Sequence, residues 1–318
     1  MTNKLSVGLI GCGRWGRHIL RDLLSLGCDV TVVSASEKGR QNARDVGAAR
    51  IVEFVGHLPR VSGLVVATPA STHAQVIESL LGLNVPIFTE KPMTADRESA
   101  VRLARKAPER LFVMDKWRYH AGIEMLRDIA RTEELGPVQG LRTTRAQWGN
   151  PHADVDISWI LTPHDLSIAL EVLGKIPKPR HAIAEKADGQ LTGLLGIFGG
   201  ADGVGDPWLI VEVSSRHPQH RREVRLHCRD GVAILDDGYS PGIAVTRSEN
   251  SRAGQTPESE LRPISQELPL LRELRTFVEH LQGGPPPRSS AAEGALVVSA
   301  IADLRSLAGL EKNSSESL

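Results

Sequence analysis

Along the first 115 residues, short continuous apolar runs alternate with amphipathic segments. Residues 5–10, 29–33, 51–54, 64–68, 85–89 and 111–114 read as strands, most of them too uniformly apolar to keep a solvated face. Between them Ile19, Leu20, Leu23 and Leu24 repeat at helical spacing within 17–26, and a polar helix is expected over 37–46. Val76, Ile77, Leu80 and Leu81 mark a third helix, and residues 95–106 a fourth. Strand, helix, strand at this interval predicts a parallel sheet with helices on both faces. The first domain, residues 1–120, is therefore expected to be a doubly wound α/β nucleotide-binding domain.

Beyond Trp117 the rhythm changes. A helical stretch at 123–131 leads through Gly136-Pro137 into strand-like residues 141–148, followed by runs at 182–186, 191–198, 209–215, 224–228 and 232–235. Val224, Leu226 and Cys228 alternate with Arg225, His227 and Arg229, the pattern of a sheet packed on one face, and Asp230-Gly231 reads as a hairpin turn. Near the end Leu270, Leu271, Leu274, Phe277, Val278 and Leu281 form one helical stripe closed by Gly283-Gly284. Ser290 and Glu293 have capping-box spacing for a last helix, with Val297, Ile301, Leu304 and Leu307 inward. Residues 121–318 are expected to form an α+β domain built on a large, mainly antiparallel sheet. Residues 248–260 read as a polar loop and 313–318 as a frayed end.

Composition narrows the classes of function. With 41% hydrophobic and 24% charged residues the chain is globular, not disordered. Lys plus Arg (38) equals Asp plus Glu (38), so no basic excess exists to hold nucleic acid or an anionic membrane. No apolar run approaches the ~18 residues of a membrane helix, and the lead into the first strand leaves no room for a secretory signal. Cys12, Cys28 and Cys228 make no CxxC pair, which suits a reducing, cytoplasmic setting.

Gly11-x-Gly13-x-x-Gly16 follows the first strand and opens the first helix. In that context the first glycine permits the turn, the second admits a pyrophosphate to the backbone, and the third allows close helix packing. The helix N-terminus adds free N–H groups and partial positive charge. At the end of the second strand the chain reads Ser34-Ala35-Ser36-Glu37-Lys38. Glu37 is expected beyond the strand, starting the next helix, not bonding a ribose. Ser34 and Ser36 with Lys38 or Arg40 favour a 2′-phosphate, hence NADP over NAD; as solvated loop residues they would carry no preference.

Phe88-Thr89-Glu90-Lys91-Pro92 lies at the carboxyl end of a strand, where ligands of open α/β sheets bind, so Lys91 is the candidate general acid/base. In this order GCGRWG (11–16), ATPASTH (67–73) and TEKP (89–92) resemble the Gfo/Idh/MocA oxidoreductases, as does the segment 159–168, WILTPHDLSI. The resemblance implies a Rossmann domain and an α+β domain whose sheet often forms a homo-oligomer interface. It implies a catalytic Lys91, with a cis peptide at Lys91-Pro92. It places Gly11, Gly13, Arg14, Trp15, Gly16, Thr68, Pro69, Ser71, His73, Glu90, Lys91 and Pro92 at the cofactor. It further implies an NAD(P)-dependent hydride transfer at a secondary alcohol or ketone of a sugar, cyclitol or nucleotide-linked sugar.

Thr162, Pro163 and Asp165 read as N-cap, first residue and capping-box acid of a helix running to Leu173, with His164 in its first turn as a proton relay. The family usually carries an aspartate four residues before this histidine; here that position is Ile160. Either Lys91 and His164 suffice, or an acid such as Asp156 substitutes, or the chemistry is altered and the chain is a dinucleotide-binding sensor. Arg118 and Trp148, with Asn150 and His152 beside it, are the remaining substrate candidates. His152-x-Asp154-x-Asp156 shows no fourth ligand, and no metal is expected.

Overall fold

The computed structural model describes residues 4–152, 154–199, 206–248 and 257–310. In chain order the elements are β1 (Ser6–Ile10), α1 (Gly16–Ser25), β2 (Asp29–Val33), α2 (Glu37–Val46), β3 (Arg50–Val52), β4 (Gly63–Val66), α3 (His73–Leu80), β5 (Ile87–Glu90), α4 (Arg97–Lys106) and β6 (Leu111–Met114). They continue as α5 (Ala121–Thr132), β7 (Val138–Trp148), α6 (Ile157–Leu173), β8 (Pro179–Ala187), β9 (Gln190–Phe198) and β10 (Trp208–Ser214). The series closes with β11 (Arg216–Cys228), β12 (Gly231–Leu235), β13 (Gly242–Arg247), β14 (Ser259–Pro263), α7 (Pro269–Leu281) and α8 (Ala291–Leu307). Two compact units emerge: residues up to 119 with 267–298, and 120–266 with the residues from 299 on.

In the first unit six parallel strands lie in the order β3-β2-β1-β4-β5-β6, the Rossmann arrangement that the apolar runs predict. Both faces are covered, which explains why β4 (GLVV) and β6 (LFVM) are buried throughout. The helix covering part of one face comes from the far end of the chain. Leu270, Leu274, Phe277 and Val278 of α7 join the core of Leu9, Leu20, Val32 and Phe88, and the Phe88 and Phe277 rings stack with centroids 4.9 Å apart. The periodicity fixed which face of α7 is apolar but not which sheet it meets. The capping box at α8 is present in both directions: Ser290 Oγ accepts from Glu293 N, and Glu293 Oε2 accepts from Ser290 N.

The second unit holds eight strands in the order β14-β13-β12-β11-β7-β10-β9-β8, antiparallel except for the β7–β10 pair. Leu141 and Thr143 of β7, Leu209 and Val211 of β10, and Val224 and Leu226 of β11 are buried on one face, and α6 packs against β7, β9 and β10. Three expectations need correction. The hairpin turn is Arg229-Asp230, with Gly231 already paired to Cys228. Strand β14 occupies the end of the stretch expected to be loop, while 249–256, like the expected frayed end at 313–318, lie outside the described residues. Leu307 is 48% exposed, beyond the packed face of α8.

The largest correction concerns α6. It begins at Ile157, capped by Asp156, whose Oδ1 accepts from Ser158 N. Pro163 therefore lies inside the helix, and its missing N–H forfeits the bond to the carbonyl four residues earlier. Thr162-Pro163 mimics an N-cap followed by a first helical residue, but 15 of the 17 helical residues are buried, so packing holds the helix through the proline.

Candidate active site

The glycine loop shows a distinct reason for each glycine. Gly11 has φ +92°, and a Cβ there would sit 2.7 Å from Ala67 O; one on Gly16 would sit 2.5 Å from Gly11 O. A Cβ on Gly13 would meet nothing within 4 Å. On that side the backbone is open, as approach by a diphosphate requires. The first turn of α1 carries no acidic residue, and Trp15 at its N-cap makes no side-chain cap, so the leading N–H groups keep their partial positive charge. Asn42 Nδ2 donates to Cys12 O at 2.9 Å and pins the loop from α2. Gly13, Arg14 and Trp15 are exposed. These residues fit a dinucleotide.

At the end of β2 the polar groups are largely committed. Glu37 is the first residue of α2, as expected, and Ser36 caps that helix by accepting from Gly39 N at 3.1 Å. Ser34 is buried, its Oγ donating to Ser36 O at 3.4 Å. Arg40 bonds Glu37 at 2.9 Å and Glu53 at 3.1 Å, besides the carbonyls of Ser34 and Ala35. Lys38 is exposed in the first turn of α2.

Three loops follow the carboxyl ends of the adjacent strands β1, β4 and β5: the glycine loop, residues 67–73, and the turn holding Lys91. Lys91 is half-buried and its bond to Pro92 is cis. His73 is 1% exposed, with Nδ1 2.7 Å from Pro92 O and Nε2 2.9 Å from Thr68 O. It thus ties the lysine turn to the β4 loop, a bracing position inside the protein. Thr68 accepts from Thr72 Oγ1 at 2.9 Å, while Pro69 and Ser71 are exposed. Arg118, expected to take an anionic substrate group, is instead buried: its Nη1 donates to Arg288 O, Ser289 Oγ and Glu293 Oε1 within 3.3 Å.

A cluster of carboxyl groups lies at the same end of the sheet, and the sequence reading missed it. Glu90 ends β5 opposite Met114, and Asp115 follows directly. Glu90 Oε2 accepts from Lys91 N at 3.2 Å, and its carboxylate also bonds the Trp15 side chain. Lys116 Nζ stands 4.4 Å from the centroid of the Trp15 ring. Glu273 of α7 is fully buried. Burial raises all three acids: Asp115 to about 7, opposed by Arg118 and Ser289; Glu90 upward, opposed by Lys91 and Lys116; Glu273 well above the usual range, with Glu90 and Asp115 pushing the same way. The available signal was a glutamate within the apolar stripe of α7, between Leu270 and Leu274.

In the second unit His164 is the eighth residue of α6 and half-buried, so the argument from a helix N-terminus does not apply to it. Ile160 is 3% exposed, one turn earlier. Asp156 is occupied as the helix cap and accepts from Arg305 Nη1 at 2.6 Å. Asp165 is not a capping acid: it is buried against Arg145, accepting from Nε at 3.1 Å and Nη2 at 3.1 Å. Trp148 is 69% exposed at the end of β7, with the Arg216 guanidinium 5.7 Å from its ring centroid. Asn150 and His152 are exposed in the following loop, where Asn150 Nδ2 donates to Val155 O.

A Rossmann sheet, a glycine loop open at Gly13 and a lysine two strands away at the same sheet edge are the features expected of a dinucleotide site. Residues 5–114 match the family described as "Oxidoreductase family, NAD-binding Rossmann fold", and in this segment the chain is similar to the Gfo/Idh/MocA oxidoreductases. Inositol 2-dehydrogenase of Pseudarthrobacter chlorophenolicus is 26% identical over 224 residues, 60% of this chain and 66% of that protein. UDP-N-acetylglucosamine 3-dehydrogenase of Acidithiobacillus ferrooxidans is 27% identical over 188 residues, 58% of this chain and 59% of that protein. The chain thus spans 59–66% of the length of these curated relatives. A solved structure of the second enzyme shares the fold with TM-score 0.81 at 22% identity, covering 97% of this chain and 99% of that one. Levoglucosan dehydrogenase, solved with NADH and levoglucosan, gives TM-score 0.81 at 15% identity, covering 96% and 98%.

Proposed function

We propose that this chain is an NAD(P)-dependent oxidoreductase acting on a secondary alcohol or ketone of a sugar, cyclitol or nucleotide-linked sugar. One observation carries the reading: Lys91 follows β5, the neighbour of the strand that leads into the loop at 67–73, which itself lies beside the strand that leads into the glycine loop, all at the carboxyl edge of one parallel sheet. The family and the names of the relatives support the substrate class. Gly11, Gly13 and Gly16 with the N-terminus of α1 would hold the diphosphate, and exposed Arg14, Trp15, Pro69 and Ser71 would line the dinucleotide. When bound, the nicotinamide accepts or supplies the hydride.

The residues of the chain then handle the proton. As the carbon gives up hydride, the Lys91 amine takes the proton of the hydroxyl; in the reverse direction its ammonium returns it. In the second unit His164 and Trp148 are proposed for the substrate, the imidazole relaying the proton and the indole contacting the sugar. NADP is proposed over NAD because buried Ser34 stands where a ribose-binding carboxylate would be and Lys38 is exposed nearby; Arg40, held by Glu37 and Glu53, adds nothing to this preference. A homo-oligomer through the sheet of the second unit completes the proposal.

The test is Lys91→Ala assayed by the near-ultraviolet absorbance of reduced nicotinamide against a panel of sugars, cyclitols and nucleotide sugars. The variant is expected to lose turnover while binding dinucleotide as the native protein does; undiminished turnover refutes the mechanism. A second reading, a dinucleotide-binding sensor, is favoured by Ile160 and by the commitment of Asp156 to its helix cap. Native protein that binds dinucleotide tightly yet turns over none of the panel supports that second reading.

A further inference from the structure

The side chain of Glu273 sits at an unusual cost. It is 0% exposed, and neither carboxyl oxygen reaches a partner at normal hydrogen-bond geometry, although the Asp115 backbone N–H is turned toward it. A buried carboxyl so poorly supplied with donors is far more costly as an anion than as a neutral acid. Glu273 stands close enough to Glu90 and Asp115 for each to raise its proton affinity. Register holds the other two together: Glu90 pairs with Met114, the residue before Asp115. The charged groups facing this cluster are Lys91 and Lys116 at Glu90, Lys116 at Glu273, and Arg118 and Glu293 at Asp115. The Tyr119 hydroxyl, bonded by Arg288 N at 2.9 Å, also faces Glu273.

We propose that Glu90, Asp115 and Glu273 form a proton-sharing carboxyl triad behind Lys91, in which Asp115 and Glu273 act through Glu90 to set how tightly Lys91 holds its own proton. Lys91 meets the triad at its neighbour Glu90, and Asp115 and Glu273, which act through Glu90, are positioning residues. When either is charged, Glu90 is pushed toward its neutral form and supports the Lys91 ammonium less. The triad thereby lets the lysine amine exchange a proton nearer neutrality than a lysine beside a permanently ionised glutamate could. This inference rests on the reading of Lys91 as the acid–base group, but its primary measurement does not.

The experiment is the pH dependence of Lys91 acetylation by acetic anhydride in the intact protein, read on the Lys91 peptide by mass spectrometry. Glu90→Gln removes the adjacent negative charge and is expected to lower the midpoint by about half a unit or more. Glu273→Gln and Asp115→Asn relieve Glu90 of a like charge and are expected to raise it. In Glu90→Gln/Glu273→Gln the second substitution is expected to add nothing. An unmoved midpoint in both Glu273→Gln and Asp115→Asn, or a shift in the same direction as in Glu90→Gln, overturns the proposal. If Lys91→Ala keeps full turnover while the opposed shifts appear, the catalytic reading fails and the triad stands.

Discussion

Arg145 and Asp165 face each other with both side chains buried, Nε and Nη2 each 3.1 Å from a carboxylate oxygen. The pair clamps α6 to β7 and so fixes the position of His164, the residue beside Asp165. Breaking it by Asp165→Asn leaves a buried guanidinium uncompensated, and a loss of about 3–5 kcal/mol in unfolding free energy is expected. Asp165→Leu/Arg145→Met, which removes both charges, is expected to cost much less than the sum of the single changes. Denaturant unfolding of the native protein, Asp165→Asn, Asp165→Leu, Arg145→Met and the double variant checks this.

Gly13→Val separates binding from folding. A Cβ at 13 meets no protein atom within 4 Å and opens onto free space, so the thermal midpoint is expected to stay within a degree or two of the native value. The same side chain would occupy the space a diphosphate needs, and dinucleotide affinity is expected to fall at least about tenfold, or 1.4 kcal/mol. Titration calorimetry and a thermal melt on one sample decide it. Gly11→Ala is expected to do the opposite first, losing stability because φ +92° and the Ala67 carbonyl both oppose a Cβ.

Asp115 makes stability depend on pH in a stated direction. Its proton affinity is raised to about 7 in the folded chain, so between about pH 4 and 7 the native state binds a proton that the unfolded state does not. The resulting penalty is full above pH 7 and is relieved as pH falls toward the unfolded value. Stability is therefore expected to decline from pH 5 to pH 8, and Asp115→Asn to flatten that decline by an amount on the order of 1–4 kcal/mol. Chemical unfolding at three pH values measures the slope; an equal slope in the variant refutes the assignment.

Phe277→Ala removes the ring stacked on Phe88 and opens a cavity at the centre of the first unit's core. A loss of about 3–5 kcal/mol is expected. It should appear as weaker dinucleotide binding only at temperatures where that unit begins to melt, which a binding isotherm at two temperatures shows.

Much of this was legible because the parallel sheet writes itself plainly: continuous apolar strands, a glycine loop at the first crossover and a Ser290–Glu293 capping box. What escaped the sequence has physical causes. Thr162-Pro163 spells a helix start as well as it spells a proline tolerated by packing, and only the tertiary burial of α6 decides between them. Arg118 looks like a ligand-seeking charge and Asp165 like a capping acid until Glu293 and Arg145 are seen to meet them. Glu273 breaks the apolar stripe of α7, but its neighbours Glu90 and Asp115 lie more than 150 positions earlier, beyond any local pattern.

The lodging of α7 on the Rossmann sheet has a consequence for synthesis. Phe88, Leu9 and Val32 wait for side chains that leave the ribosome only after some 160 further residues have been made. A nascent chain halted after residue 119 would show water the bare patch that Phe277 and Leu274 later shield. Such a fragment is the form in which this protein most needs a chaperone.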